Sequence, residues 1–323
     1  MSIRTTPASL LVTGGAGFIG SHYVRALAGA ADAPRVTVLD ALTYAGSTAD
    51  LPLDTVEFVH GDVCDAPLVD RLVAAHDQVV HLAAESHVDR SIEDAATFVR
   101  TNVLGAQTVL DAALRHGRAV VLVSTDEVYG SIAHGSWSED APLAPNSPYS
   151  ASKASADLLA LAMHRTHGLD VRITRSTNTY GGRQYPEKII PLFVTRILNG
   201  QDVPLYGDGR HVRDWLHVDD HVRGIELVRT RGRAGGIYHI AGGTERTNLE
   251  LTHALLELLG ADRSRITHAP DRPGHDLRYS LDDSKIRTEL GYRPERDFSG
   301  GLKEAVDWYV RNQGWWSPFS SRP

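Results

Sequence analysis

Short apolar runs alternate with amphipathic helical stretches, a glycine-rich turn closes the first run, and an aspartate closes the second. Together these predict an α/β protein: a Rossmann-like doubly wound parallel sheet over residues 1–176 with a smaller, loop-rich lobe over 177–323. Strands are expected at 10–13, 35–40, 56–60, 79–83, 119–124 and 171–174, each a β-branched or continuous apolar run. That is the pattern of strands buried on both faces. Helices are expected between them, at 18–28, 66–75, 95–116 and 149–167. Their ends carry local signals. Gly117 stands where a helix stops, His116 suits the negative end of that helix, and Ser147-Pro148 reads as an N-cap followed by proline in the first turn. After residue 176 the pattern loosens, with turns at 181–182, 206–209, 235–236 and 271–274 and helices expected at 189–199, 249–259 and 302–312. The run at 237–241 looks like a buried strand that returns to the first sheet.

A chain of 323 residues has ample length for a core, and 42% apolar with 23% charged residues describes an ordinary globular protein. A net charge of −7, with four Lys among 33 cations, leaves no footprint for nucleic acid or an anionic membrane. Cys64 is the single cysteine, which excludes an internal disulfide and a multi-cysteine metal site. No apolar run approaches the about 18 residues of a membrane span, and no secretory leader is expected. The expectation is a cytoplasmic protein that binds neither nucleic acid nor membrane.

The first turn reads Thr13-Gly14-Gly15-Ala16-Gly17-Phe18-Ile19-Gly20. Glycines spaced in this way let backbone approach a pyrophosphate, whose charge is stabilised by the N-terminus of the following helix. The second strand ends at Asp40, 20 residues after Gly20, where a carboxylate would accept hydrogen bonds from a ribose and repel a 2′-phosphate. No arginine follows in 41–44. The expected cofactor is NAD.

Tyr149 and Lys153 stand at i and i+4 at a helix start and share a face. With eleven tyrosines and four lysines, chance yields about 0.14 such pairs in a chain of this length. An ammonium beside the phenol is expected to lower its pKa, as suits a tyrosine that deprotonates an alcohol during hydride transfer. The fifth strand ends in Thr125-Asp126-Glu127, beyond the carboxyl edge of the sheet where ligands bind. Neighbouring carboxylates resist double ionisation, so one acts as acid and the other as base, a division suited to removing water next to a carbonyl.

These residues resemble the extended short-chain dehydrogenases/reductases, and within them the dTDP-glucose 4,6-dehydratase family. The resemblance runs through 13–20, 82–91, 124–130, 149–153, 186–191, 206–209, 213–215, 271–276 and Trp315-Trp316. It implies that Tyr149, oriented by Lys153, removes the sugar 4-hydroxyl proton as hydride leaves C4 for NAD, with Thr125 bonded to the 4-oxygen. Glu127 then takes the C5 proton, Asp126 protonates the C6 hydroxyl, and hydride returns to C6. The same likeness places Gly14, Gly17, Phe18, Ile19 and Gly20 on the dinucleotide, together with Asp40, Asp62, Val63, Leu82, Ala83, Ala84, Thr101 and Thr179. For a nucleotide-sugar substrate it implies Ser86, Asn178, Lys188, Ile189, Pro204, Leu205 and Tyr206. It adds Arg213, Asn248, Asp271, Arg272, His275 and Asp276, whose cations would balance a diphosphate. A homodimer through helices 95–116 and 149–167 is implied as well. One departure stands at Asn178-Thr179-Tyr180-Gly181-Gly182, where the family has a second Asn, so Thr179 offers a hydroxyl in place of an amide.

Other readings stay open. A 4-epimerase or decarboxylase on the same scaffold would share Gly14–Gly20 and Tyr149/Lys153 but has no need of Asp126-Glu127, and a non-catalytic nucleotide sensor needs none of the four. His217 and His221 have the spacing of a metal pair without the accompanying glutamate, and no metal is expected. Asp219 or Asp220 is read as a helix N-cap and the arginines of 223–233 as a solvated helix face, while a local ion pair between Asp89 and Arg90 stays open. Cys64 is read as packing.

Overall fold

The computed structural model describes residues 9–319. From the amino end run β1 (Ser9–Thr13), α1 (Phe18–Ala28), β2 (Arg35–Asp40), β3 (Glu57–His60), α2 (Ala66–Ala74) and β4 (Gln78–His81). Then come α3 (Val88–Glu93), α4 (Ala95–Phe98), α5 (Gly105–His116), β5 (Ala119–Thr125), α6 (Pro148–His167) and β6 (Val171–Ser176). The second half holds β7 (Asn178–Tyr180), α7 (Ile189–Leu198), β8 (Val203–Tyr206), β9 (Val212–His217), α8 (Val218–Arg231) and β10 (Ile237–Ile240). It closes with β11 (Glu245–Thr247), α9 (Asn248–Leu258), β12 (Ile266–Ala269), α10 (Ser284–Leu290) and α11 (Phe298–Arg311) before two short terminal turns.

Seven parallel strands form the main sheet in the order β10-β6-β5-β4-β1-β2-β3, so β10 joins its edge beside β6. Alternate residues of each strand feed two cores. Leu10, Val12, Val38 and Val121 pack with Tyr23, Ile225 and Val228 on one face, while Leu11, Leu39, Val79 and Leu122 pack with Val109, Leu110 and Ala160 on the other. This is why the strands read as continuous apolar runs. Chain order reverses between β1 and β4, which opens a crevice beyond their carboxyl ends. A separate core of Phe193, Trp215, Leu251, Leu302, Val306 and Tyr309 holds the second lobe, with the small sheets β11-β9-β7 and β12-β8.

Several local expectations change. The helix expected over 95–116 is broken at its centre by a π-helical turn, Val99–Leu104. The helix expected from 302 begins at Phe298, capped by Asp297 accepting from Gly300 N. His217, not an aspartate, caps α8 by accepting from Asp219 N, while buried Asp220 accepts from the backbone N–H groups of Glu295 and Arg296. The arginines after 222 are not a uniformly solvated face: Arg229 is buried against Glu226 and Gln78, because α8 lies on the sheet. Asp89 and Arg90 do not pair. Arg90 lies 3.6 Å above the Tyr44 ring, and Asp89 faces Arg272 at 3.5 Å. Helix ends at Ser147 and Gly117 form as expected, the first accepting from Ser150 N, the second with φ 62°.

Candidate active site

Beyond the carboxyl ends of β1, β4 and β5 lies one cavity of about 700 Å³, lined by both lobes. Its floor is the glycine turn. A Cβ on Gly14, at φ +70°, would lie 2.5 Å from Ala83 N, and one on Gly20 would lie 2.2 Å from Gly14 O, so β1, β4 and α1 approach only because these side chains are absent. Gly17 caps α1 with no side-chain hydrogen bond and no acidic residue in the first turn. The positive end of that helix is therefore left for a ligand's negative charge. Asp40 closes the turn, its carboxylate accepting from Leu42 N at 2.8 Å and Ala16 N at 2.9 Å. No lysine or arginine from 41–46 reaches this end, so the donor set fits a dinucleotide with free ribose hydroxyls. Asp62, Val63, Leu82, Ala83, Ala84 and Thr101 line the same wall. Thr101 gets there through the π turn. Cys64 beside it donates to Arg100 O at 3.3 Å, and burial pushes its thiol up to about 11, as for an unreactive packing residue.

At the other end, β5 runs into a tight turn over Asp126–Tyr129 that presents Thr125, Asp126 and Glu127 to the cavity, opposite Tyr149 and Lys153 of α6. Thr125 Oγ1 donates to Asp126 Oδ1 and accepts from Glu127 N, both at 3.2 Å, which sets the three side chains relative to one another. Ser150 Oγ donates to Glu127 Oε2 at 3.3 Å. Burial, then the neighbouring Glu127 charge, raises Asp126 well above the usual carboxylate range, and its Oδ2 is buried without a protein partner. Its protonated form is favoured, and one oxygen is free. Tyr149 departs from the expectation. Its pKa is raised, by burial first and then by Glu127 and Asp126, while a Thr125 hydrogen bond pulls it back. Lys153 does not offset this: its ammonium donates to Val123 O at 2.7 Å, and burial lowers it to about 8.

The residues expected at the substrate end divide. Ser86, Asn178, Lys188, Ile189, Pro204, Leu205, Tyr206, Arg213, Asn248, Arg272 and His275 line the cavity. Asp271 and Asp276 do not, and both carboxylates are engaged by protein groups. Asp271 bonds His275 Nδ1 at 2.6 Å and pairs with His211 at 3.1 Å, while Asp276 accepts from Asn146 and Tyr279. His211, Asp271 and His275 bring ligand-type atoms within 4.8 Å of one another. The two imidazoles are stacked at 3.7 Å and 16°, however, so their in-plane lone pairs run side by side and do not converge on one ion. Thr179 lines the cofactor end, its hydroxyl 2.8 Å from His221 Nδ1. His221 is fully buried with Nε2 unpartnered and is held neutral by burial at about 3. His221, Trp215, Tyr279 and the 184–187 segment were not anticipated as lining residues. His221 was readable only as a metal-type spacing, Trp215 and Glu187 stand in stretches of the family resemblance that gave them no role, and Gln184, Tyr185 and Tyr279 lie in no motif.

Residues 11–305 match the GDP-mannose 4,6 dehydratase family. A dTDP-glucose 4,6-dehydratase of Streptomyces antibioticus is 62% identical over 322 residues, 98% of this chain and 96% of its own. The chain belongs to the dTDP-glucose 4,6-dehydratase family. A crystal structure from that family, the Streptomyces venezuelae enzyme solved with NAD bound, superposes with a TM-score of 0.93 at 60% identity, covering 96% of this chain and 99% of that one. The UDP-glucose 4-epimerase of Thermotoga maritima also superposes, at 0.89 and 31% identity over 94% of this chain and 99% of its own. The fold is thus common to dehydratases and epimerases, and the family assignment rests on sequence.

Proposed function

We propose that this chain is an NAD-dependent hydro-lyase of deoxysugar biosynthesis that converts dTDP-glucose to dTDP-4-keto-6-deoxyglucose and water. The observation that carries the reading is the pair Asp126 and Glu127, held beside Tyr149 in one cavity with one Asp126 oxygen buried and unpartnered. Bound NAD supplies the hydride acceptor at C4 and the donor at C6, so the net redox change is zero. Tyr149, acting as the phenolate, takes the 4-hydroxyl proton, and Thr125 donates a hydrogen bond to the 4-oxygen as it becomes a carbonyl. The ketone acidifies C5. Glu127 removes that proton, and Asp126 gives its own to the C6 oxygen, which leaves as water; once hydride has returned to C6, Glu127 gives a proton back to C5. A merely epimerising site has no use for this pair of carboxyl groups here, which favours dehydration over the epimerase reading.

For the cofactor, Gly14, Gly17, Phe18, Ile19 and Gly20 take the pyrophosphate, Asp40 the adenosine ribose, and Asp62 with Val63 the adenine. For the nucleotide sugar, Lys188, Arg213 and Arg272 supply positive charge, and buried Asn178 Oδ1, unpartnered in the protein, offers an acceptor. Residues 1–176 hold the cofactor and 177–323 the sugar nucleotide, with α8 and β10 serving the sheet. The assembly is a homodimer. The support is an apolar groove between α4 and α6, lined by Val99, Val103, Leu104 and Leu159, with Leu158 exposed nearby in α6. We place the enzyme in the cytoplasm; no described helix is long and apolar enough to cross a membrane.

Mass spectrometry of the product from dTDP-glucose deuterated at C4 tests the reading. Loss of one water with the deuterium retained at C6 is expected. A product of unchanged mass would replace dehydration with epimerisation.

A further inference from the structure

Among the described residues, Leu42 at φ 48° and Arg183 at φ 66° are the non-glycine positions with left-handed backbone. Such conformations persist only where the surroundings hold them. The two lie on facing sides of the cleft, Leu42 just after Asp40 and Arg183 in the segment before α7. The segments that contain them are joined across it. Tyr44 OH donates to Glu187 Oε1 at 3.0 Å. Arg183 Nε donates to Asp50 Oδ1 at 2.8 Å, and Trp315 Nε1 donates to the other oxygen of Asp50 at 3.1 Å. The Tyr44 ring is held by the Arg90 guanidinium at 3.6 Å and, edge-on, by Tyr185 at 5.4 Å. Ser47 N donates to Ala16 O at 3.0 Å, which ties the first segment to the glycine turn. Thr43 and Gly46 from one side, and Gln184 and Glu187 from the other, line the same cavity.

We propose that residues 42–50 and 183–187 form a strap across the cleft that retains the dinucleotide through turnover, with Tyr44 and Arg183 as positioning residues. The proposal rests on the NAD-dependent reading above. In that reaction hydride given up at C4 must come back at C6, so a cofactor that left between the two transfers would strand an oxidised sugar. A cosubstrate replaced every cycle needs an open path, whereas one regenerated in place is served by a closed one. The contacts across the cleft fit the second case: an ion pair, a side-chain hydrogen bond and an edge-on ring contact join segments that are distant in the chain. None of these groups touches the reacting atoms, so their effect is on cofactor exit and not on proton transfer.

The test uses purified holoenzyme and follows exchange of bound NAD against excess isotopically labelled NAD without substrate. Tyr44→Phe removes one oxygen, and Arg183→Ala removes the Asp50 pair. Exchange at least tenfold faster in each variant, and faster still in the double, is expected, with affinity for dTDP unchanged by calorimetry. Exchange at the wild-type rate in both variants overturns the strap. Faster exchange with an equal loss of dTDP affinity also overturns it, because that is general loosening. Should Arg183→Ala fold poorly, Trp315→Phe removes a single donor from the same cluster and is read in the same way. A wild type that holds NAD in slow exchange but does not dehydrate dTDP-glucose would overturn the function and leave the strap standing. A wild type that binds no NAD overturns both.

Discussion

Asp126 and Glu127 are adjacent in the chain but meet different surroundings, and that difference assigns their roles. Asp126 is buried, which raises its pKa, whereas Glu127 receives a hydrogen bond from Ser150. The two are separable by experiment. Glu127→Gln removes the base, so uptake of solvent deuterium at C5 should fall by about 10²–10⁴-fold along with water loss. Asp126→Asn keeps the shape but has no proton to give. Water loss should fall by a similar factor while C5 exchange persists, as read by mass spectrometry in D₂O. If the two variants lose exchange equally, the assignment of acid and base is wrong. Both carboxylates were legible in the sequence as a pair. Which one is raised was not, because the Asp126 shift comes first from the cavity walls that bury it, which remote elements build, and only then from the adjacent Glu127.

At the scale of elements, the interrupted helix between α4 and α5 has the clearest consequence. Its π turn carries an extra residue per turn and so aims Thr101 at the cofactor wall and Asn102 inward. Asn102 is buried with its whole amide engaged: Oδ1 accepts from Glu85 N at 2.8 Å, and Nδ2 donates to Glu85 O at 3.0 Å and Ser152 Oγ at 2.8 Å. It ties the strand-end segment beside Ser86 to the helix that carries Tyr149 and Lys153. Asn102→Ala leaves buried backbone groups unpaired and should cost about 1–3 kcal/mol in urea unfolding. A loss below experimental error would show that water replaces the amide. The apolar pattern over 95–116 is that of one helix, and nothing in it marks the interruption. The turn is stabilised by contacts that Asn102 makes with two other segments, which local periodicity cannot report.

For the whole molecule, buried histidines set the response to acid. His81, His221 and His239 are each lowered by burial to about 3, against 6.5 for the free side chain. Between those values the unfolded chain binds protons that the native state refuses. The stability they confer is complete above about pH 6.5 and is lost as pH falls toward 3, each contributing a slope of up to about 1.4 kcal/mol per pH unit. Asp126, raised instead of lowered, works in the opposite direction, so the comparison is best made on one variant. His81→Gln should make the fall in urea midpoint between pH 6.5 and 4.5 shallower; an unchanged slope would mean His81 takes up its proton without unfolding. Assembly is tested at the same scale. Leu158, 56% exposed on α6, should lie in the dimer interface. The wild type is expected at the mass of two chains in sedimentation and Leu158→Arg at one, and a single-chain wild type at micromolar concentration would remove the dimer from the account.

Period and spacing along the chain determined the alternating strands and helices, the glycine turn with Asp40 at its reach, and the Tyr149–Lys153 face. Each depends on residues within a turn, a strand or one βαβ unit, where backbone geometry leaves few alternatives. The tertiary structure alone decided that the Asp271 and Asp276 carboxylates are taken up by His275, His211, Asn146 and Tyr279, that Arg229 is buried, and that Tyr149 is raised despite its lysine. It also joined Tyr44 to Glu187 across 143 positions. Hydrogen-bond partners and desolvation are set by what packs around a group in space, and for all of these residues the decisive neighbours are remote in the chain.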